Sequence, residues 1–443
     1  MARLSGEDVL SFFLLVGVLL MSARLLGELF RKIKLPQVMG ELVAGVLLGP
    51  SFLKKIAPEF YHGFFESSQN AGIAFDGLAR IGILLLLFVA GMEINLKSIR
   101  DKMNAAATIS ISGIAIPFTF GFVGAWYFFP DLFPEGIKDH FATSLFMGTA
   151  LSITALSVLA KILIDLDLIK SKFGSLMMTA AMIDDFIGWM LFSLVVSVAN
   201  LHREGSFSVW QVMLMVVGFA AVMLTIGRKF VHYAFIFSNR YLSRNGGTLS
   251  VGIVFCLLGA IFTEWLGIHA IFGAFMVGVA VGDSNHFSHR TREMLHDIVT
   301  FIFAPLFFVS IGFRVSFTEQ FDIKVIGLIL AIAILGKLIG GYVGARLGRF
   351  SRNESMAIGF TMNARGSQEI VLGLIALNAG LITEKIFVGL VVMTFVTIMM
   401  AGPMMKFFLR REEAGQNKRK GSPAHAGEYT DAGFQPKVKR LGK

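Results

Sequence analysis

Two adjacent carboxylates, Asp184 and Asp185, lie near the middle of an apolar run from Phe173 to Val198. Their sequence neighbours supply no opposite charge. A carboxylate at bilayer depth costs roughly 2.5–3.5 kcal/mol on insertion scales. Two of them side by side point to ion or proton handling. An ionised carboxylate attracts a partly dehydrated cation, and a proton competes for the same oxygens. The competing interpretation is structural: an Asp that caps a broken helix or pairs with a buried base. Lys337 is the second intramembrane charge, inside ILGKLIGGYVGARLG. Gly336, Gly340, Gly344 and Gly348 recur there every fourth residue, which allows close helix contact. A buried lysine needs a carboxylate or sheds its proton. Asp184 or Asp185 is the expected partner, and snorkelling to the interface is the alternative.

Two further stretches carry polar groups inside apolar spans. In MGTALSITALSVLA, Met147 to Ala160, small residues surround Ser152, Thr154 and Ser157. Such a helix can unwind and offer hydroxyls and carbonyls to a cation. The same hydroxyls could simply bond back to their own helix. In TMNARGSQEIVL, Thr361 to Leu372, the residues Asn363, Arg365, Gly366, Ser367 and Glu369 crowd together. Arg365 and Glu369 are spaced i,i+4 and can pair with each other.

The elements that must position these groups are membrane helices. Apolar residues make up 55% of the chain, and charges bunch between apolar runs, which excludes a soluble globule. A spanning helix needs about 20 residues, and about 13 such runs are present. They fall near 9–30, 37–53, 72–93, 104–128, 141–162, 173–200, 208–234, 247–263, 267–283, 294–315, 323–346, 354–380 and 384–409. The first, Val9 to Leu26, lacks a basic n-region and a clear cleavage site, so it reads as a retained helix. Alternate loops are rich in Lys and Arg, among them Arg24, Arg31, Lys97, Arg100, Arg346 and Arg349. That set belongs in the cytoplasm, with the N-terminus outside and the C-terminus inside. The net charge of +10 comes from these loops and a basic tail, and implies anionic lipid and no nucleic acid. Cys256 is the sole cysteine, so no internal disulfide forms. Glu412 to Lys443 reads as a disordered basic cytoplasmic tail.

An internal repeat is visible. GELVAGVLLG, Gly40 to Gly49, matches GAFMVGVAVG, Gly273 to Gly282, with glycines at the same places. LFVAGMEI, Leu87 to Ile94, then resembles FFVSIGFRV, Phe307 to Val315. Runs two to six therefore map onto runs nine to thirteen. The offset is odd, so the halves have opposite topology, as in many secondary transporters with a midplane site between halves. The expected fold is an all-α polytopic membrane protein with inverted five-helix repeats. The stretches around Ser152 and Arg365 occupy matching places, which suggests two crossed interrupted helices.

LPQVMGELVAGVLLGP (Leu35 to Pro50), GTALSITALSVLA, the Asp184–Asp185 pair, FAPLFFVSIG (Phe303 to Gly312), the Gly336–Lys337 step and NARGSQEIVL resemble the monovalent cation:proton antiporter 2 family. The resemblance covers about residues 10 to 409. It implies a 13-helix antiporter, not an enzyme, that works as a homodimer with an elevator-like motion of a core domain in a bacterial inner (plasma) membrane. The paired Asp is similar to the electrogenic sodium/proton branch. There the second Asp, here Asp185, carries cation and proton, and the first, here Asp184, bridges to the lysine, here Lys337. NARGSQEIVL is more similar to Kef-type potassium/proton systems and plant cation/proton exchangers.

The combined expectation is proton exchange against sodium, or against potassium or lithium, with no cofactor. Asp185 and Asp184 would bind the ions, with Ser152 and Thr154 or nearby carbonyls completing the cation's shell. Lys337 would be the salt-bridge partner, and Asn363, Arg365 and Glu369 accessory polar groups. The chain would divide into first gate and dimer helices (1–103), the first half of the ion-carrying core (104–200), a linker helix (201–246), second gate and dimer helices (247–322), the second core half (323–411) and the tail (412–443). An intramembrane aspartyl protease would also use two membrane carboxylates. Its chemistry needs them to face one water, and successive helix residues point about 100° apart. A passive cation channel is the third alternative.

Overall fold

The computed structural model describes residues 5–33, 37–65, 68–94, 103–128, 140–166, 168–169, 171–199, 209–242, 246–284, 286–314, 317 and 319–420. Among these every regular element is helical. In chain order the helices are α1 (Gly6–Lys32), α2 (Gln37–Leu48), α3 (Leu53–Ile56), α4 (Pro58–Phe65), α5 (Gln69–Met92), α6 (Met103–Phe128) and α7 (His140–Ala150). They continue with α8 (Leu156–Asp165), α9 (Lys172–Ala199), α10 (Val209–Val222), α11 (Arg228–Tyr241), α12 (Gly246–Trp265), α13 (Ala270–Gly282) and α14 (His289–Ile298). The last five are α15 (Ala304–Arg314), α16 (Ile323–Leu347), α17 (Arg352–Thr361), α18 (Ser367–Asn378) and α19 (Glu384–Lys420). Short π-helical turns join α10 to α11 at Met223–Gly227 and α14 to α15 at Val299–Phe303.

Among the described residues, nine helices are long and apolar enough to cross a membrane. The protein is an integral membrane protein. Four of the expected spans are not single long helices. α2 and α13 are short, and the runs at 141–162 and 354–380 are each broken in two. The breaks fall at residues 151–155 and 362–366, around Ser152 and Arg365 as the small and polar residues there predict.

A broken helix at membrane depth survives only where protein satisfies its freed backbone groups. Here the two breaks do this for each other. Ala155 N donates to Ala364 O at 2.8 Å. Thr154 Oγ1 lies 2.8 Å from Met362 O. Arg365 donates to Ala150 O at 2.9 Å and Leu151 O at 2.5 Å. The free end of α18 is closed locally, Gly366 N donating to Glu369 Oε2 at 2.8 Å.

The last helix corrects one expectation. Residues beyond Glu412 do not leave the helix at once; α19 runs to Lys420. The segment is rich in good helix formers, and Ser351 Oγ donates to Glu412 Oε2 at 2.7 Å, tying the helix to the start of α17. Residues 421–443 lie outside the described residues, as do Lys97 and Arg100.

Glycines set the helix contacts. A methyl at Gly45 would stand 2.1 Å from Val309 O, and one at Gly312 would stand 2.3 Å from Leu42 O, so α2 and α15 touch backbone to backbone. The same holds between α13 and α5: Gly278 would meet Phe88 O at 2.2 Å, and Gly91 would meet Phe275 O at 2.2 Å. Gly40 packs on α1 at Leu26, and Gly273 on α12 at Gly259. The most extensive helix pair is α6 with α16. There Gly340 faces Ser112 O and Gly344 faces Thr108 O, and Ser112 Oγ donates to Gly340 O at 2.9 Å. Helix α9 packs on α6 on one side, and its Trp189 meets Phe275 of α13 on another, ring centroids 5.8 Å apart.

Candidate functional site

Close packing of α6 on α16, with α9 and the break after α7 beside them, gathers the expected charges at one point. Asp184 and Asp185 are neighbours on α9, but a helix turns about 100° per residue, and they face different partners. Asp184 is fully enclosed. Its Oδ2 lies 2.8 Å from Lys337 Nζ, and both side chains are 0% exposed. Ser110 Oγ of α6 donates to Oδ1 at 2.5 Å. Thr154 Oγ1 lies 2.8 Å from Oδ2, so its single proton is shared between Asp184 and Met362 O.

Lys337 is equally complete. Its ammonium donates to Asp184, to Gly113 O at 2.8 Å and to Ser152 O. An ammonium has three protons, and these acceptors use all three. Ser152 thus contributes its carbonyl to the lysine, while its hydroxyl turns back to Thr149 O at 2.8 Å. Of the two hydroxyls expected in a cation shell, Thr154 is on Asp184 and Ser152 is on its own helix.

Asp185 is different. Gln368 Nε2 of α18 donates to its Oδ2 at 3.0 Å. Its Oδ1 is buried and has no hydrogen-bond partner among the described residues. A second ion pair lies nearby on the other break. Arg365 and Glu369, both 0% exposed, stand 4.0 Å apart at i,i+4 as their spacing predicts. Asn363 Nδ2 donates to Gly359 O at 3.3 Å and Ile334 O at 3.4 Å. Around the two breaks, three buried carboxylates therefore stand with two buried bases. Asp184 is matched by Lys337 and Glu369 by Arg365, which leaves Asp185 as the uncompensated charge. In low dielectric such a group binds a cation or a proton.

Two cavities are lined by different stretches of α5, one by residues 76–84 and the other by residues 89–93 at its C-terminal end. One, of about 640 Å³, is lined by Asp76, Arg80, Glu264, His269 and Asn378 among others. The other, of about 530 Å³, is lined by Glu93, His289, Arg292, Glu293, His296 and Asp297 together with Val89 and Met92. Asp185 lines neither. Asp76 and Arg80, four residues apart on α5, form an ion pair at 2.7 Å. Among the described residues no group of three His, Cys, Asp or Glu could hold a metal ion.

Three contributors escaped the sequence. Ser110 looked like any helix hydroxyl, and the Gly113 carbonyl has no sequence signature. Gln368 was in view within NARGSQEIVL, but nothing in its spacing pointed across to Asp185. The side chains of Ser157 and Ser367 lie outside the described residues.

The model of the sodium/hydrogen exchanger transmembrane family matches residues 16–411. The sodium/proton antiporter NhaS4 of Synechocystis is 32% identical over 390 residues, covering 86% of this chain and 93% of the relative. The Na(+)/H(+)-K(+) antiporter GerN of Bacillus cereus is 30% identical, covering 89% and 96%. The K(+)/H(+) antiporter 1 of Saccharomyces cerevisiae is also 30% identical, and there the match covers 90% of this chain but 46% of the relative. Among solved structures, the sodium proton antiporter MjNhaP1 from Methanocaldococcus jannaschii superposes with a TM-score of 0.66 at 15% identity, over 90% of this chain and 98% of that one. The likeness to MjNhaP1 is one of fold.

Proposed function

Because this chain belongs to the transmembrane sodium/hydrogen exchanger family, we propose that it exchanges protons for a monovalent cation across the membrane, with Asp185 carrying either ion. The family is one of transporters, which removes the protease alternative. One observation carries the assignment: of the three carboxylates buried around the two breaks, Asp185 alone has no facing base, and its Oδ1 has no hydrogen-bond partner among the described residues; Glu41, the other buried carboxylate among them, lies away on α2. A cation on Oδ1 neutralises it, and so does a proton. Either makes the group cheaper to move past apolar surface. The empty, charged form is the costly one, so uncoupled return is suppressed. Asp184 and Lys337 form the ion pair beside it, with Thr154 and Ser152 at the same break.

The nine long helices, with α2, α13 and the two interrupted units each taken as one crossing, would make thirteen. An inverted repeat is supported by the glycine contacts: α2 on α15 and α5 on α13 use matched glycines, and α1 on α2 mirrors α12 on α13. Helices α6 to α9 and α16 to α19 would be the moving core. Residues 1–103 and 247–322 would form the gate and dimer scaffold of a homodimer, and residues 201–246 would link the halves. Motion of the core would expose Asp185 to one of the two cavities at a time. The lysine and arginine pattern supports a cytoplasmic C-terminus, and a bacterial inner membrane is the proposed location.

Sodium is the preferred ion in this account, favoured by the Asp184–Asp185 pair and by the sodium/proton relatives. Potassium/proton exchange is the second possibility, favoured by NARGSQEIVL and by the yeast relative. Exchange is electrogenic, with Lys337 releasing a proton when the site fills. A net charge couples to voltage at about 2.3 kcal/mol per 100 mV. Proteoliposomes holding a pH dye, given sodium, potassium or lithium separately, test the exchange. The same vesicles clamped at zero and at a strongly negative potential test the charge movement. No cation-driven proton flux would reject the function, and sodium-driven flux equal at both potentials would reject electrogenicity.

A further inference from the structure

The bond between α18 and α9 at the carrier carboxylate involves a side chain that no part of the mechanism yet uses. Gln368 is 9% exposed. Its Nε2 donates to Asp185 Oδ2 at 3.0 Å. Its other polar atom, Oε1, is buried without a hydrogen-bond partner among the described residues, and so is Asp185 Oδ1. A buried acceptor without a donor is costly, on the order of 1–3 kcal/mol. Two such oxygens on groups already joined by one hydrogen bond share one neighbourhood. Neither can relieve the other, because both accept. Only a donor or a cation can serve both. Asn363 Oδ1 is buried without a hydrogen-bond partner on the same broken helix unit, and Glu369 Oε1 there has only the 4.0 Å ion pair with Arg365. Arg365 Nε on that unit and Trp189 Nε1 on α9 are buried donors that also lack a partner among the described residues, so neither is hydrogen-bonded to Asp185 Oδ1 or Gln368 Oε1.

We propose that Gln368 is a cation ligand and the specificity-determining partner of Asp185, its Oε1 joining Asp185 Oδ1 in the shell of the transported ion. The proposal rests on Asp185 being the carrier. The carboxamide suits both halves of the cycle. With Asp185 ionised, Nε2–H holds one carboxylate oxygen still, while Oδ1 and Oε1 face the cation. With Asp185 protonated, the carboxyl becomes a donor, and its O–H can bond to Oε1 after the carboxamide turns over. No covalent bond changes. The amide carries no charge of its own, so ion exchange at Asp185 stays one charge for one charge. Because Gln368 sits on α18 and Asp185 on α9, the shell is completed across two helices. Its span then sets which ion size fits, and side-chain length at position 368 becomes a selectivity control.

Purified full-length protein in proteoliposomes tests this, with cation-driven proton flux read over a range of sodium and of potassium concentrations. Gln368→Met keeps length and volume but removes both polar atoms. It should raise the apparent KM for the preferred cation at least about tenfold, the loss of one contact to a charged group. Its kcat at saturation should fall less than its kcat/KM. Gln368→Asn keeps the carboxamide on a shorter stem. It should restore flux relative to Gln368→Met and shift the ratio of sodium to potassium KM. Thermal melting in detergent checks that each variant folds, and Gln368→Leu, which also lacks both polar atoms, stands in if Gln368→Met does not. Unchanged KM values, unchanged ion ratio and unchanged pH profile in Gln368→Met, with Asp185→Asn inactive in parallel, overturn the role of Gln368 alone. Normal flux in Asp185→Asn instead overturns the carrier assignment beneath it.

Discussion

Replacing Asp184 with asparagine keeps the shape at the centre of the site and removes one charge. Lys337 would then face Gly113 O and Ser152 O with no anion beside it. Both members of the pair are 0% exposed. Breaking a buried pair from one side typically costs about 3–5 kcal/mol, because the remaining charge stays out of water. The two carbonyls still solvate the ammonium, so about 3 kcal/mol, the lower end, is the expected loss. Lys337→Met should cost a similar amount, since Asp184 keeps the hydroxyls of Ser110 and Thr154. The double variant leaves neither charge stranded. Its loss should fall short of the sum of the single losses by about 2 kcal/mol or more. Equilibrium unfolding in mixed micelles with graded SDS, followed by far-UV circular dichroism, measures all three variants. Losses that add to within about 0.5 kcal/mol would mean the two groups are not coupled. The role of Asp184 as a fixed anion would then be wrong.

Other variants probe the crossing and the scaffold. Arg365→Ala removes the donor from Ala150 O and Leu151 O and strands Glu369. It should cost about 3–5 kcal/mol in the same unfolding assay, and Arg365→Ala with Glu369→Ala should recover part of the loss; no recovery would mean that Glu369 is not its counter-ion. Gly45→Ala and Gly278→Ala put a methyl 2.1 and 2.2 Å from facing carbonyls. Each should cost about 1–3 kcal/mol as overpacking does, and by a similar amount if the two contacts are repeats of each other.

Much of this site was legible because charge in a bilayer is expensive. Asp184, Asp185, Lys337, Arg365 and Glu369 each stood out from apolar surroundings, and all five are buried together. The breaks were legible for a related reason: runs holding Ser152, Thr154, Asn363 and Gly366 are poor continuous apolar helices. Pairing was less legible. Composition cannot say which Asp meets Lys337, because that depends on how α9 is rotated against α6 and α16. Hydroxyls were ambiguous for the same reason. Ser152 and Thr154 look alike in sequence, yet one bonds back to Thr149 and the other reaches Asp184. Gln368 required knowing that α18 brings its side chain to Asp185 of α9. Helix ends were the weakest guide. Hydropathy stops near residue 409, but helix propensity and the Ser351–Glu412 bond carry α19 to Lys420.

On the proposed function one carboxyl, Asp185, holds either a proton or a cation. The most direct measurement is proton release when sodium or lithium is added to detergent-solubilised protein in weak buffer, read with a pH electrode. The native protein should release protons in proportion to cation bound, Asp184→Asn should still do so, and Asp185→Asn should release none while remaining folded. Proton release from Asp185→Asn equal to that of the native protein would contradict the claim.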